Sequence, residues 1–301
     1  MYLGSFKHFK KYCFMKILQR IPERPVKLGL VNVGRILPFR EKRSVGPFVF
    51  LDRMGPAILT PERSLDVLPH PHIGLSTLTY LFEGSILHRD STGAVMEIKP
   101  GEVNWMTAGK GVVHSERTPA HLRQSDSPLH GLQFWVGLPL ELEQCDPSFS
   151  HTGADGLPEW TENGLHYRLV AGKACGFESQ VPVHSPLFFL DIIAGEGGMA
   201  DLRGKLYGEA AVYVVEGSME VNGETAGTGE LLVAEDSGNV AFYVSKGSRI
   251  IVLGGMPFPE PRFIEWNFVH SDREVIAQAK ADWVARRFPE VPGETEFVPL
   301  P

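Results

Sequence analysis

Apolar residues along this chain gather in short runs of Val, Ile, Leu, Phe, Thr and Tyr, each closed off by glycine or proline, and such runs read as β-strands between turns. In the first half these are FVFLDRM (from Phe48), STLTYLF (from Ser76), AVMEIKP (from Ala94), VNWMTAG (from Val103) and LQFWVGL (from Leu132). In the second they are LFFLDIIA (from Leu187), AVYVVEGSMEVNG (from Ala211) and ELLVAED (from Glu230). Helical spacing is confined to two places. PLELEQ, from Pro139, predicts a short turn, and SDREVIAQAKADWVARRF, from Ser271, predicts a terminal helix. Ser271 stands as its N-cap with Glu274 completing a capping box, and Val275, Ala279, Trp283 and Val284 form the apolar stripe. The pattern predicts an all-β chain of sandwich or barrel type with one C-terminal helix.

A repeat is visible in these runs. YLFEGSI (80–86) lies over YVVEGSM (213–219), sharing Tyr, Glu, Gly and Ser, and KPGEVNWM (99–106) meets GTGELLVA (227–234). Two copies of one β-unit follow, divided in the Gly/Pro-rich stretch around 145–185.

The chemistry sits in the first copy. In His70-Pro71-His72, positions i and i+2 leave an extended chain on the same side, so both imidazoles can face one point. TAGKGVVHSER repeats that spacing with His114 and Glu116, after Gly109 and Gly111 allow a tight turn. Adjacent strands would aim three imidazole nitrogens and one carboxylate at one interior spot. That donor set suits Fe(II), Mn, Co, Ni, Cu or Zn rather than calcium or magnesium. Shifted by the repeat, His70 and His72 correspond to Arg203 and Lys205, and His114 and Glu116 to Phe242 and Val244, so one copy binds and the other does not. His88, His121 and His130 stand nearby in sequence and are expected not to be ligands.

Composition narrows the field. The chain has 301 residues, 43% hydrophobic and 22% charged, as a globular protein has. A net charge of −7 and a pI near 5.9 argue against direct nucleic-acid binding. No apolar run reaches the roughly 20 residues that cross a bilayer. Cys13, Cys145 and Cys175 are far apart and odd in number, which predicts no disulfide framework and a cytoplasmic location. The opening twenty residues scatter Lys7, Lys10, Lys11, Lys16 and Arg20 with no acid, unlike a secretory signal, and translation from Met15 is an alternative start.

HPHIGLSTLTYLFEGSILHRDSTG, PGEVNWMTAGKGVVHSE and HGLQFWVGLP together resemble the signature runs of the pirin family, within the cupin superfamily, from roughly Leu30 to Phe288. The resemblance implies two tandem cupin β-barrels (a bicupin), with one metal, usually iron, in the N-terminal barrel. Its ligands would be His70, His72, His114 and Glu116. The expected division is an N-terminal arm (1–28), a metal-binding cupin domain (29–145), a linker (146–185) and a ligand-free cupin-like domain with the terminal helix (186–301). Three positions depart from the family pattern. Ser76 stands where cupins place a glutamate, Gly109 replaces a proline, and Ile73 replaces an arginine, which predicts a less cationic pocket mouth.

The resemblance further implies quercetin 2,3-dioxygenase activity, cleaving a flavonol's central ring with O2 and releasing carbon monoxide. Glu116 is the expected base. Phe48, Phe50, Leu78, Trp105, Met106 and Phe134 are expected to wall the pocket, and Gln133 to orient substrate. A second reading is an iron- and redox-responsive regulator that binds a protein partner. A third, a non-redox isomerase of a sugar phosphate, lacks the basic cluster such a substrate requires.

Overall fold

A computed structural model of the chain describes residues 14–28 and 31–301. Two units are built alike, each setting a long antiparallel sheet against a four-stranded one, open-edged rather than closed into a barrel. The first small sheet runs in the order Asp66–His72, Val112–Arg117, Ile86–Asp90, Val95–Ile98. The second repeats that order with Gly198–Asp201, Ala241–Val244, Ser218–Val221, Glu224–Gly227. The shared EGS turn explains itself. Gly84 and Gly217 take φ of +83° and +74°, and a Cβ there would lie 2.1 Å from the Pro128 carbonyl oxygen or 2.2 Å from Ser248 Oγ.

The units exchange their ends. Ile17–Pro22, inside the segment expected to be an arm, pairs with Glu230–Ala234 at the edge of the second long sheet. It fills the place that Ser148–Thr152, inside the expected linker, fills beside Val103–Thr107 in the first. Met15 is fully buried there, while Lys16 and Arg20 pair with Glu235 and Glu224. Lys7, Lys10, Lys11 and Cys13 lie outside the described residues.

At the other end the helix, Arg273–Val284, crosses back to the first unit and packs on Ile73 and Val113. Its cap is Asp272, whose carboxylate accepts the Glu274 N–H at 2.8 Å, and not Ser271. Ser271 is committed instead to the buried carboxylate of Glu143, donating both its N–H and its hydroxyl. The buried helix face is Ile276, Ala279 and Trp283; Val284, one position past Trp283, turns to solvent at 64% exposure. PLELEQ forms a single 3₁₀ turn, Leu140–Leu142.

The long sheets stack on one another through alternate residues. Leu78, Tyr80, Leu132, Phe134 and Val136 meet Leu187, Phe189, Ala211, Tyr213 and Ile251 in one core. Phe134 and Phe189 have ring centroids 4.9 Å apart. In this layer the Tyr80 hydroxyl donates to Asp191 at 2.8 Å, and Arg249 closes on the same carboxylate. Among the described residues no helix is long and apolar enough to cross a membrane.

Because the core between the sheets is shared, Phe134→Ala is expected to cost about 3–5 kcal/mol. A urea titration reads this directly. A loss below about 1 kcal/mol would contradict the shared layer.

Candidate metal centre

Three strands of the first small sheet each send an i, i+2 pair inward: His70 with His72, His114 with Glu116, and His88 with Asp90. Pairing brings them into register. His114 sits opposite His70 on one side and Asp90 on the other, and Glu116 sits opposite His88. His70, His72 and His114 come together, and Glu116 stands beside His114 with His88, from a third pair that sequence reasoning missed although it carries the same spacing.

Ring nitrogens of His70, His72 and His114 lie within 4.8 Å of one another, and so do ligand atoms of His88, His114 and Glu116. His114 is common to both trios. The outer nitrogens are already committed: His72 Nδ1 donates to the Asn267 carbonyl at 2.9 Å and His70 Nδ1 to that of Leu68 at 2.8 Å. Each Nε2 is left as a lone pair. Asn267 comes from the terminal segment, so the far end of the chain orients a group in the first unit.

His72 Nε2 and His114 Nε2 face each other across 3.1 Å. Burial, with His70 adding to it, holds both imidazoles well below the usual histidine range, and burial brings His70 down to about 4. Both rings are therefore neutral imidazoles, and with His72 Nε2 a lone pair this contact suits the Nε2 proton of a neutral His114 or a cation. An ion taking nitrogen ligands at about 2.1 Å along perpendicular axes spaces them about 3.0 Å apart. The donor set fits a first-row divalent ion.

Burial also pushes the Glu116 carboxyl up. Thr79 Oγ1 lies 3.1 Å from Glu116 Oε1 and 2.9 Å from Gln133 Oε1. A hydroxyl has one proton for these two acceptors, so either the Gln133 amide turns its NH2 inward or Glu116 carries a proton.

Of the expected pocket residues, Phe50, Met106 and Gln133 lie on the histidine side. Phe50 stacks on Trp135 at 4.1 Å, and Trp135 meets the edge of His72 at 5.1 Å. Met106 packs with Phe149, which stacks on His88 at 4.5 Å. Phe48, Leu78, Trp105 and Phe134 belong instead to the core between the units. Alternation sends Leu78, Trp105 and Phe134 there: Phe134 lies between Gln133 and Trp135, and Leu78 between Thr77 and Thr79; Phe48, two residues from Phe50, reaches that face across the irregular pairing opposite Trp135 and Val136. Trp135 and Phe149 are the aromatics that the sequence did not single out.

Other expectations shift too. Ile73 does not line a mouth; it is buried under the terminal helix. Ser76 bonds Thr107 at 3.1 Å, away from the histidines, which leaves Glu116 as the carboxylate at the cluster. Gly109 has φ +50° and a Cβ there would lie 2.0 Å from the Cys145 carbonyl oxygen, so this turn requires glycine. His121 is exposed beside Glu97, and His130 is buried toward the second unit, 3.3 Å from Glu216.

The second unit's equivalents also need correcting. Phe242 pairs with Ala200 as His114 pairs with His70, and the Leu202 N–H reaches the Val240 carbonyl where His72 pairs with Val112. Ala200 and Leu202 therefore replace the two histidines. Arg203 and Lys205 lie beyond that strand, bonded to Asp201 and Glu162. The second interior is closed by apolar packing, not by repulsive charge.

The chain matches the family model described as Pirin over residues 30–136 and that described as Pirin C-terminal cupin domain over 189–289. A relative named "Pirin-like protein", from Caulobacter vibrioides, is 50% identical over 91% of this chain and 96% of its own. The crystal structure of a quercetin 2,3-dioxygenase from Acinetobacter baumannii superposes with a TM-score of 0.87 at 34% identity, covering 95% of both chains. A bacterial pirin of Escherichia coli, solved with nickel(II), shares the fold at 17% identity and a TM-score of 0.62, covering 80% of this chain and 99% of that one.

Burial, helped by Arg53 and Arg249, pushes the His130 imidazole down to about 4. In an unfolded chain it titrates near 6.5, so on acidification the unfolded state takes the proton first. The stability from its neutral buried ring is present above pH 6.5 and is lost as pH falls through about 4. His130→Leu is expected to flatten the dependence of the urea midpoint on pH across that window; an unaltered slope would count against the assignment.

Proposed function

This chain belongs to the pirin family, and we propose that it holds one first-row metal ion, Fe(II) by preference, on His70, His72, His114 and Glu116, and uses it to cleave a flavonol-type ring with O2. The observation that carries this reading is the facing pair of Nε2 atoms of two neutral imidazoles at 3.1 Å, with a third imidazole and a raised carboxyl beside them. A bound ion would supply Lewis acidity and a site for dioxygen chemistry.

The protein's own groups do the rest. Carbonyls of Leu68 and Asn267 keep the rings turned inward. Glu116, made more basic by burial, takes the proton of the substrate's enol hydroxyl. Thr79 steadies that carboxylate, and half-buried Gln133 orients the substrate oxygen. Phe50, Met106, Trp135 and Phe149 exclude water. Free thiols at Cys145 and Cys175 support a reducing, cytoplasmic setting.

A second reading, a redox-responsive regulator that binds a protein partner, draws support from closure. His72 and His114 are each 1% exposed and Glu116 is 7% exposed, leaving a narrow approach for a flavonol.

Oxygen uptake by the iron-loaded protein, tied to loss of flavonol absorbance, separates the two. Glu116→Gln is expected to lower kcat about 10²–10⁴-fold while metal is retained. His114→Ala, or His70→Ala with His72→Ala, is expected to abolish metal retention with the β-fold intact. Either variant holding a full metal complement by elemental analysis would refute the ligand set. No turnover on any flavonol would leave the regulator.

A further inference from the structure

We propose that Asp90 and His88 form a positioning dyad that sets His114 in the tautomer able to bind metal. This rests on the ligand role given to His114 above. Asp90 is fully buried and its Oδ2 accepts from His88 Nε2 at 2.9 Å. A carboxylate only accepts, so His88 donates from Nε2, and the single-proton form of its ring then offers Nδ1 as an acceptor. That Nδ1 faces His114 Nδ1 at 3.5 Å, a long contact whose alignment draws the His114 proton outward. His114 Nε2 is thereby freed toward His72.

With both nitrogens engaged, His88 acts through its neighbour rather than as a ligand, although it lies within ligand distance of Glu116. Stacking on Phe149 fixes its ring plane. The carboxylate itself is locked. Its other oxygen, Oδ1, accepts from the Thr92 N–H at 2.8 Å, the Thr92 hydroxyl at 2.6 Å and the Ala94 N–H at 3.2 Å.

That lock makes Asp90→Asn a clean test. Three donors hold the amide oxygen at the Oδ1 position, so the NH2 must replace Oδ2 and donate to His88 Nε2. His88 then carries its proton on Nδ1 and faces His114 as a donor, which moves the His114 proton to Nε2. Asp90→Asn is expected to weaken Ni²⁺ binding about 10–100-fold in a chelator competition. In the metal-free variant, ¹⁵N spectra are expected to show His114 as the Nε2–H tautomer, against Nδ1–H in the wild type. Thr92→Val, which removes a donor to Oδ1 without touching either tautomer, is expected to keep wild-type affinity. Asp90→Asn binding as tightly as wild type, or wild-type His114 already protonated at Nε2, would overturn the dyad. If the variant does not fold, the wild-type tautomer decides alone. A wild type that binds no divalent ion would instead overturn the metal reading, a separate failure.

Discussion

Consecutive side chains of a β-strand leave on opposite faces, and the first unit depends on that constraint twice over. One face of its strands collects His70 with His72, His88 with Asp90, and His114 with Glu116, whose ligand atoms form two groups sharing His114. In the long sheet the residues between site-facing positions, such as Leu78 and Phe134, make the layer that joins the units. A slip of one residue in register would exchange the two sets, burying polar groups between the sheets. Site and core are therefore fixed by the same pairing.

Burial then shapes the chemistry. Buried imidazoles resist protonation, so His70, His72 and His114 stay neutral, and carbonyls of Leu68 and Asn267 take the outer protons of the first two. What remains is inward lone pairs on His70 and His72 facing His114, an arrangement that a cation satisfies. The second unit shows the alternative solution. The same positions hold Ala200, Leu202, Phe242 and Val244, which pack against each other and need no ion.

Much of this was legible in the sequence, because strand runs, the EGS turn and i, i+2 pairs are local signals. What was not legible is non-local. The Phe134-Trp135-Val136 run is apolar throughout, so nothing in it distinguished Trp135, beside His72, from Phe134, facing Phe189. The repeat was offset in its first strand because the turn match cannot count residues across the preceding loop; register shows Ala200 where spacing gave Arg203. The edge role of Ile17–Pro22 depends on a partner more than 200 residues away. Ser271 has the composition of a cap, yet Glu143, brought from the first unit, captures its hydroxyl and leaves capping to Asp272.

Anomalous diffraction at the iron edge, on crystals of natively purified protein, tests the central claim most directly. The account predicts one peak per chain, in contact with nitrogens of His70, His72 and His114 and an oxygen of Glu116, and none inside the second unit. A peak held by other residues, or four well-ordered side chains around no ion in protein saturated with ferrous or nickel salt, would contradict it.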